Sequence, residues 1–232
     1  GARALASCGS LAEALEQLEG TTYGGLVHDA GDLEDAQHAV AAQTLLWLRV
    51  LTAWLPRGAL GGIRALGAWF ELVNVENRLA YLRGSQLRPA FETGSLSTSW
   101  PRIGLAQSPR ELREALRASP WGDPGGEEPV DVHLGLRLAW ARRVLASVPE
   151  AGPWAAGAVA LLLARETTEA GSLHRASRLA APALGGRGPR EGALTIASLR
   201  AELPQSSSWS LAGVEEPEDL WRAEAAWWRA VG

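Results

Sequence analysis

Apolar residues recur at intervals of three and four along most of the chain, and no stretch alternates apolar with polar residues long enough to argue a strand. The pattern predicts helices near 10–20, 33–55, 58–83, 109–118, 131–148, 153–170, 191–203 and 217–231. Ser10, Asp32, Ser108, Asp131 and Asp219 stand where N-caps are expected, and Pro109 takes a first helical position. The breaks "GTTYGG", "RPAFETGS", "SPWGDPGGEEP", "APALGGRGPREG" and "PQSSSWSLAGVEEP" are rich in Gly, Pro or Ser. The expected fold class is therefore all-α. Two long apolar runs, "AVAAQTLLWL" ahead of Arg49 and "PWAAGAVALLLA" over Pro153–Ala164, fall short of the ~20 residues that span a bilayer. They predict helices buried on most sides. Trp47 with Trp54, and Trp221 with Trp228, repeat at i and i+7 and predict core faces of the same kind.

The pattern also repeats itself. At a constant offset of 98 residues, Ser10, Glu13, Glu16, Leu18, Tyr23 and Gly24 fall on Ser108, Glu111, Glu114, Leu116, Trp121 and Gly122. Nine or ten residues after Tyr23, Trp121 and Trp209 come "DLEDAQHA" (Asp32–Ala39), "DVHLGLRL" (Asp131–Leu138) and "DLWRAEAA" (Asp219–Ala226). Three matches at like distances from an aromatic argue internal repetition. The unit reads as a short amphipathic helix, a small-polar turn with an aromatic, an acidic cap, and two long helices. Tyr23 and Trp121 are expected to be buried at the base of their units. The expected boundaries are 1–98 and 99–190 for two complete units and 191–232 for a partial third, each covering apolar faces its neighbour leaves open.

Composition removes several chemistries. All 22 basic residues are Arg, so a GK[ST] phosphate loop and Schiff-base catalysis lack their amine. One Cys (Cys8) and four His (His28, His38, His133, His174) give neither a disulfide framework nor a zinc spacing, which fits a reducing, cytoplasmic setting. No Met occurs, so the native start is expected to lie elsewhere, and no signal-peptide pattern is seen. No HExxH, GxSxG or CxxC motif is present.

The net charge of −4 disfavours nucleic acid, but the charge is uneven. Residues 99–190 hold 12 Arg against 9 acids, whereas 1–98 hold 7 against 10 and 191–232 hold 3 against 7. Arg110, Arg113, Arg117, Arg137, Arg142 and Arg143 make the middle unit basic. They read as an ordinary solvated face or as a docking surface for an acidic partner, with Arg113, Arg117, Arg142 and Arg143 as candidate contacts. Asp32, Glu34 and Asp35 could form a magnesium-binding acidic cluster of the all-α isoprenoid-enzyme kind. A cap with an acidic first turn is preferred, because the other copies keep only the first Asp. Glu76, Asn77 and Arg78, polar in an apolar helix, read as an interhelical hydrogen-bonded group that fixes register. The eleven Trp read as packing rather than as stacking platforms for sugars or single strands, and "GGRGPREG" reads as a linker.

"LEQLEGTTYGG" (Leu15–Gly25), "NVENRLAYLRG" with Glu76 and Asn77 in the acidic and amide places, and "LRPAFETGSL" (Leu87–Leu96) resemble the V/A-type ATPase C-subunit family, which includes the eukaryotic d-type subunit. The resemblance implies three related helical domains arranged as a funnel. It implies a non-catalytic coupling part, with no cofactor, metal or small-molecule substrate, that links the central stalk to the membrane ring. Localisation would be cytoplasmic, peripheral to the membrane through protein partners and without insertion into it. A generic helical scaffold and a magnesium-dependent all-α transferase are the rival readings; the transferase requires Asp32 and Asp35 to line a deep pocket.

Overall fold

The computed structural model describes residues 4–5, 7–169 and 195–230, and every regular element among them is helical. The longer helices are α1 (Leu11–Glu19), α2 (Leu33–Leu51), α3 (Leu60–Leu82), α4 (Pro109–Arg117), α5 (Pro129–Ser147), α6 (Gly152–Glu169), α7 (Ile196–Glu202) and α8 (Leu220–Arg229). The expected linker "GGRGPREG" and His174 lie outside the described residues, as does the side chain of Trp228. No helix among the described residues is long and apolar enough to cross a membrane.

Local hydrogen bonds explain why α1 and α4 start and stop where they do. The Ser10 hydroxyl accepts the Glu13 N–H at 3.2 Å, while the Glu13 carboxylate accepts the Gly9 N–H at 2.8 Å. Ser108 accepts from Glu111 at 3.2 Å, and Glu111 accepts the Gln107 N–H at 2.9 Å. Each pair satisfies two donors that a helix start otherwise leaves open. At the far ends, Thr21 donates to the Leu18 carbonyl at 2.6 Å and accepts from the Tyr23 N–H at 3.2 Å. Ser119 donates to Leu116 at 2.7 Å and accepts from the Trp121 N–H at 3.1 Å. Every one of these bonds has its counterpart 98 residues on.

The two segments part company at the glycine. A Cβ on Gly24 would lie 2.2 Å from the Glu19 carbonyl oxygen, so the position needs glycine for a close backbone approach. Gly122 needs it for a left-handed backbone, φ +79°. The aromatics differ too. Trp121 is buried, as expected, but Tyr23 is only half-buried. The reason lies in the helices before them: α4 buries Leu112 and Leu116, whereas α1 buries no residue.

Of the expected acidic caps, Asp32 alone behaves as one, accepting the Asp35 N–H at 2.8 Å. Pro129 starts α5 two residues early with Glu128 as its cap, which carries Asp131 into the first turn, where it is buried. Asp219 closes the turn Pro217–Asp219 by accepting the Glu215 and Glu216 N–H groups, each at 3.3 Å, and leaves the start of α8 without a side-chain cap.

The main core forms where α3 packs along α5, α5 against α6, and α6 against α7 and α8. Ala65, Leu72 and Val75 from α3 meet Val132, Leu136 and Leu138 from α5, with Leu112, Leu116, Val159, Leu163 and Leu199 around them. Each large apolar side chain here contributes ~1.5–3 kcal/mol on leaving water. A smaller cluster of Leu45, Phe70, Phe91 and Leu96 ties α2 to α3. As expected, α6 is buried along most of its length. Helix α2 is not: Trp47 is 48% exposed and Trp54, just past its end, 82% exposed. Among the described residues α2 packs on the helical turn Gly24–Val27, on α3 and on the turn Gly94–Leu96, burying Ala36, Gln43 and Leu45, while Leu46, Trp47, Val50 and Leu51 face water. Trp221, 62% exposed, likewise departs from the expected core face, while Trp227 of α8 is buried.

Candidate functional site

Helix α3 carries a polar stripe at 71, 74 and 78, one face at i, i+3 and i+7. Sequence reasoning missed its first two members. Glu71 is fully buried and accepts the Thr98 N–H at 2.6 Å, the Ser99 N–H at 2.8 Å, the Ser97 hydroxyl at 3.0 Å and the Trp121 indole N–H at 2.7 Å. The Asn74 side-chain amide accepts the Phe91 N–H at 2.7 Å and donates to the Phe91 carbonyl at 2.9 Å. Arg78 donates twice to the Ala106 carbonyl, at 3.0 and 2.6 Å. The connector over 87–106 has little regular structure to pair its own backbone, so α3 supplies the partners. The available signal was an acid and an amide three apart in the apolar run "WFELVNV".

Glu76 faces the other way, toward α5. His133 Nδ1 lies 3.0 Å from its carboxylate, and Arg137 bonds to the same group. Burial pushes the Glu76 carboxyl up, but the hydrogen bonds and charges of His133 and Arg137 outweigh burial and hold it below the usual range. The Arg137 guanidinium also lies over the Trp69 ring, 5.4 Å from its centre. Glu76 thus fixes helix register with α5 as expected, whereas Arg78 holds the connector and Asn77 is half-buried between them.

Among the described residues, the arginines of the middle segment are mostly engaged within the chain. Arg113 pairs with Asp123 through two hydrogen bonds, 2.9 and 3.2 Å, which raise the guanidinium pKa and lower that of the carboxyl. Arg110 pairs with Glu114 one turn on, and Arg137 with Glu76. Arg143 donates to the Thr98 hydroxyl at 3.0 Å and lies 5.4 Å from the centre of the Trp121 ring. Burial lowers its pKa, offset by the nearby Glu71. It belongs to the connector clamp. Arg117 is exposed and Arg142 half-buried. The four candidate contacts therefore divide: Arg113 and Arg143 hold internal partners, and Arg117 with Arg142 carry what surface charge the group offers.

Tryptophans bind the outer helices together. Trp69 meets Trp140 edge-on at 5.0 Å, Trp140 meets Trp154 at 5.7 Å, and Trp154 stacks on Trp227 at 4.5 Å. Rings in these arrangements contribute ~0.5–1.5 kcal/mol per pair beyond their buried area. A cleft of about 310 Å³ opens beside them, walled by Trp69, Trp140 and Trp227, with His133, Arg137 and the Arg165–Glu224 ion pair among its polar groups.

Asp32 and Asp35 are exposed and serve the start of α2, where the Asp35 carboxylate also accepts the Gly31 N–H at 3.3 Å. Neither lines the cleft. Among the described residues no three His, Cys, Asp or Glu side chains are placed to hold a metal ion. Glu34 pairs with Arg88. His38 stacks on Phe91 at 4.2 Å, and burial pushes its imidazole down against the pull of Asp35. Cys8 donates to the Ala4 carbonyl at 3.3 Å, and His28 stands 4.0 Å from Glu19.

No protein-family model, curated protein or solved structure matches the chain.

Proposed function

We propose that the chain is a non-catalytic, internally repeated helical coupling subunit, of the kind that links the central stalk of a V/A-type rotary ATPase to its membrane ring. The observation that carries the reading is the set of hydrogen bonds repeated at the 98-residue offset: a Ser cap before α1 and before α4 with a Glu carboxylate reaching back to the residue ahead of it, and the same hydroxyl turn after each. Repeats built from helix, aromatic turn, helix and helix are what the resemblance to that family implies. A torque-transmitting part must resist shear between units, and α3 answers that need. Its Glu71, Asn74 and Arg78 hold the connector into the second unit, and Glu76 holds α5. The proposed units are 1–98, 99–190 and a partial third over 191–232, in a protein peripheral to the membrane through its partners.

The docking charge in this reading rests on Arg117 and Arg142, since Arg113 and Arg143 are tied internally. The test is capture of purified stalk-foot and ring proteins on the immobilised chain across a salt series. Capture that weakens as the Debye length falls from ~10 Å at 0.1 M to ~3 Å at 1 M, and weakens further in Arg117→Glu with Arg142→Glu, supports it. Absence of capture at low salt removes it.

A further inference from the structure

Helix α2 and the turn after it leave an apolar stripe uncovered. Leu46, Trp47, Val50 and Leu51, each more than 40% exposed, and Trp54 at 82% follow one another at helical spacing. Leu33, 59% exposed, and Leu26 extend the same character to the other end. The positions 33, 37, 40, 44, 47, 51 and 54 run at alternating steps of four and three, the seam of a paired helix.

Charge along this element is polar in a specific sense. Asp29, Asp32 and Asp35 stand at its start beside Glu34, which Arg88 engages, and from 36 to the turn after the helix there is no acid, only Arg49, which donates to the Glu92 carbonyl, and the exposed Arg57. A flat anionic membrane would be repelled by the acidic end of such a face. A copy of the same face turned through a two-fold axis is complementary to it, acid to arginine at both ends. We propose that two copies of this chain associate through α2 packed antiparallel on α2 of the partner, about an axis near Thr44. In that register Trp54 meets Leu33 of the second copy, Trp47 meets Val40, and Arg57 approaches Asp29. The antiparallel helix dipoles add to the pairing. This inference is independent of the rotary reading, since it concerns the isolated chain.

The experiment is sedimentation velocity of the full chain from sub-micromolar to ~100 µM, with circular dichroism to confirm that each variant keeps its helices. The wild type should be a concentration-dependent dimer, and Trp47→Ser with Leu51→Ser a monomer. Arg57→Asp alone and Asp29→Arg alone should each raise the dimer dissociation constant about tenfold, as an exposed charge pair turned repulsive would. The two together should recover most of the loss. Thr44→Cys in a Cys8→Ser background should give disulfide-linked dimers, because the two side chains meet across the axis. A wild type monomeric at every concentration overturns the proposal. So does a dimer indifferent to the stripe substitutions, or a monomer that floats with phosphatidylserine vesicles through the same stripe.

Discussion

Glu71 shows how much one side chain can hold. It accepts from four donors, and three of them, the Thr98 and Ser99 N–H groups and the Trp121 indole, have no freedom to turn elsewhere. Leaving one such group unpaired costs about 1–3 kcal/mol. Trp121→Phe keeps a ring but removes the indole donor, so chemical denaturation should show a loss of about 1–3 kcal/mol. Trp121→Ala should lose about 3–5 kcal/mol, the usual penalty for deleting a buried aromatic, while the half-buried Tyr23→Ala should lose only about 1 kcal/mol. Equal losses at the two aromatics would contradict the burial difference. The sequence aligned Tyr23 with Trp121 but could not separate them, because burial depends on what α1 and α4 pack against. It also pointed to Glu76–Arg78 while Glu71 and Asn74 passed as ordinary helix residues. A polar side chain within an apolar run declares itself only once the chain it pairs with, here 91–99, is brought beside it.

Glu76 makes a prediction with a sign. Its folded pKa lies below the ordinary carboxylate value, so the unfolded state binds the proton more readily. The stabilisation is complete above the unfolded pKa of ~4.3 and is lost as pH falls through the lower folded value. The gap in urea midpoint between wild type and Glu76→Gln should hold near pH 5 and close toward pH 3. A gap unchanged across that range would show that Glu76 is not held by His133 and Arg137.

At the scale of elements, the caps and turns were the most legible part. Ser10 and Ser108 cap as their position ahead of the apolar run requires, since a cap is a contact within four residues. Ser108→Ala should therefore cost about 1 kcal/mol in a thermal or urea melt. Ser10→Ala should cost less in global stability, because α1 buries nothing and can fray alone. Asp131 shows where the local rule failed: Pro129, a stronger start signal, took the first position. Close packing was also hidden. A Cβ on Gly135 would lie 2.6 Å from the Pro124 Cα, backbone that has no rotamer to move away with. Gly135→Ala should push the Trp121 turn off α5 and lower the melting temperature by several degrees, as ~1–3 kcal/mol of overpacking would. A melt within about one degree of wild type would mean that the turn yields freely.

Across the whole molecule, helix class follows from periodicity, but the distribution of burial does not. The run ahead of Arg49 and the run over Pro153–Ala164 look alike in hydropathy, yet α6 lies under α5, α7 and α8 while α2 is open on one side. No property of a single helix decides which neighbours arrive. Charge misled in the same way: the excess of arginine in 99–190 is real, but Asp123, Glu76 and Thr98 engage much of it inside the fold. Of the four candidate contacts, Arg117 and Arg142 are the ones left at the surface, on a body whose first two segments are joined through α3. The proposed role of this body is to couple two partners without chemistry of its own. Its most direct test is quantitative binding of the immobilised chain to a purified membrane ring and to the stalk foot, singly and together. Saturable binding to each, simultaneous occupancy by both, and a salt dependence reduced in Arg117→Glu with Arg142→Glu are expected. Binding to neither partner at low salt, by a chain whose melting curve shows it folded, would contradict it.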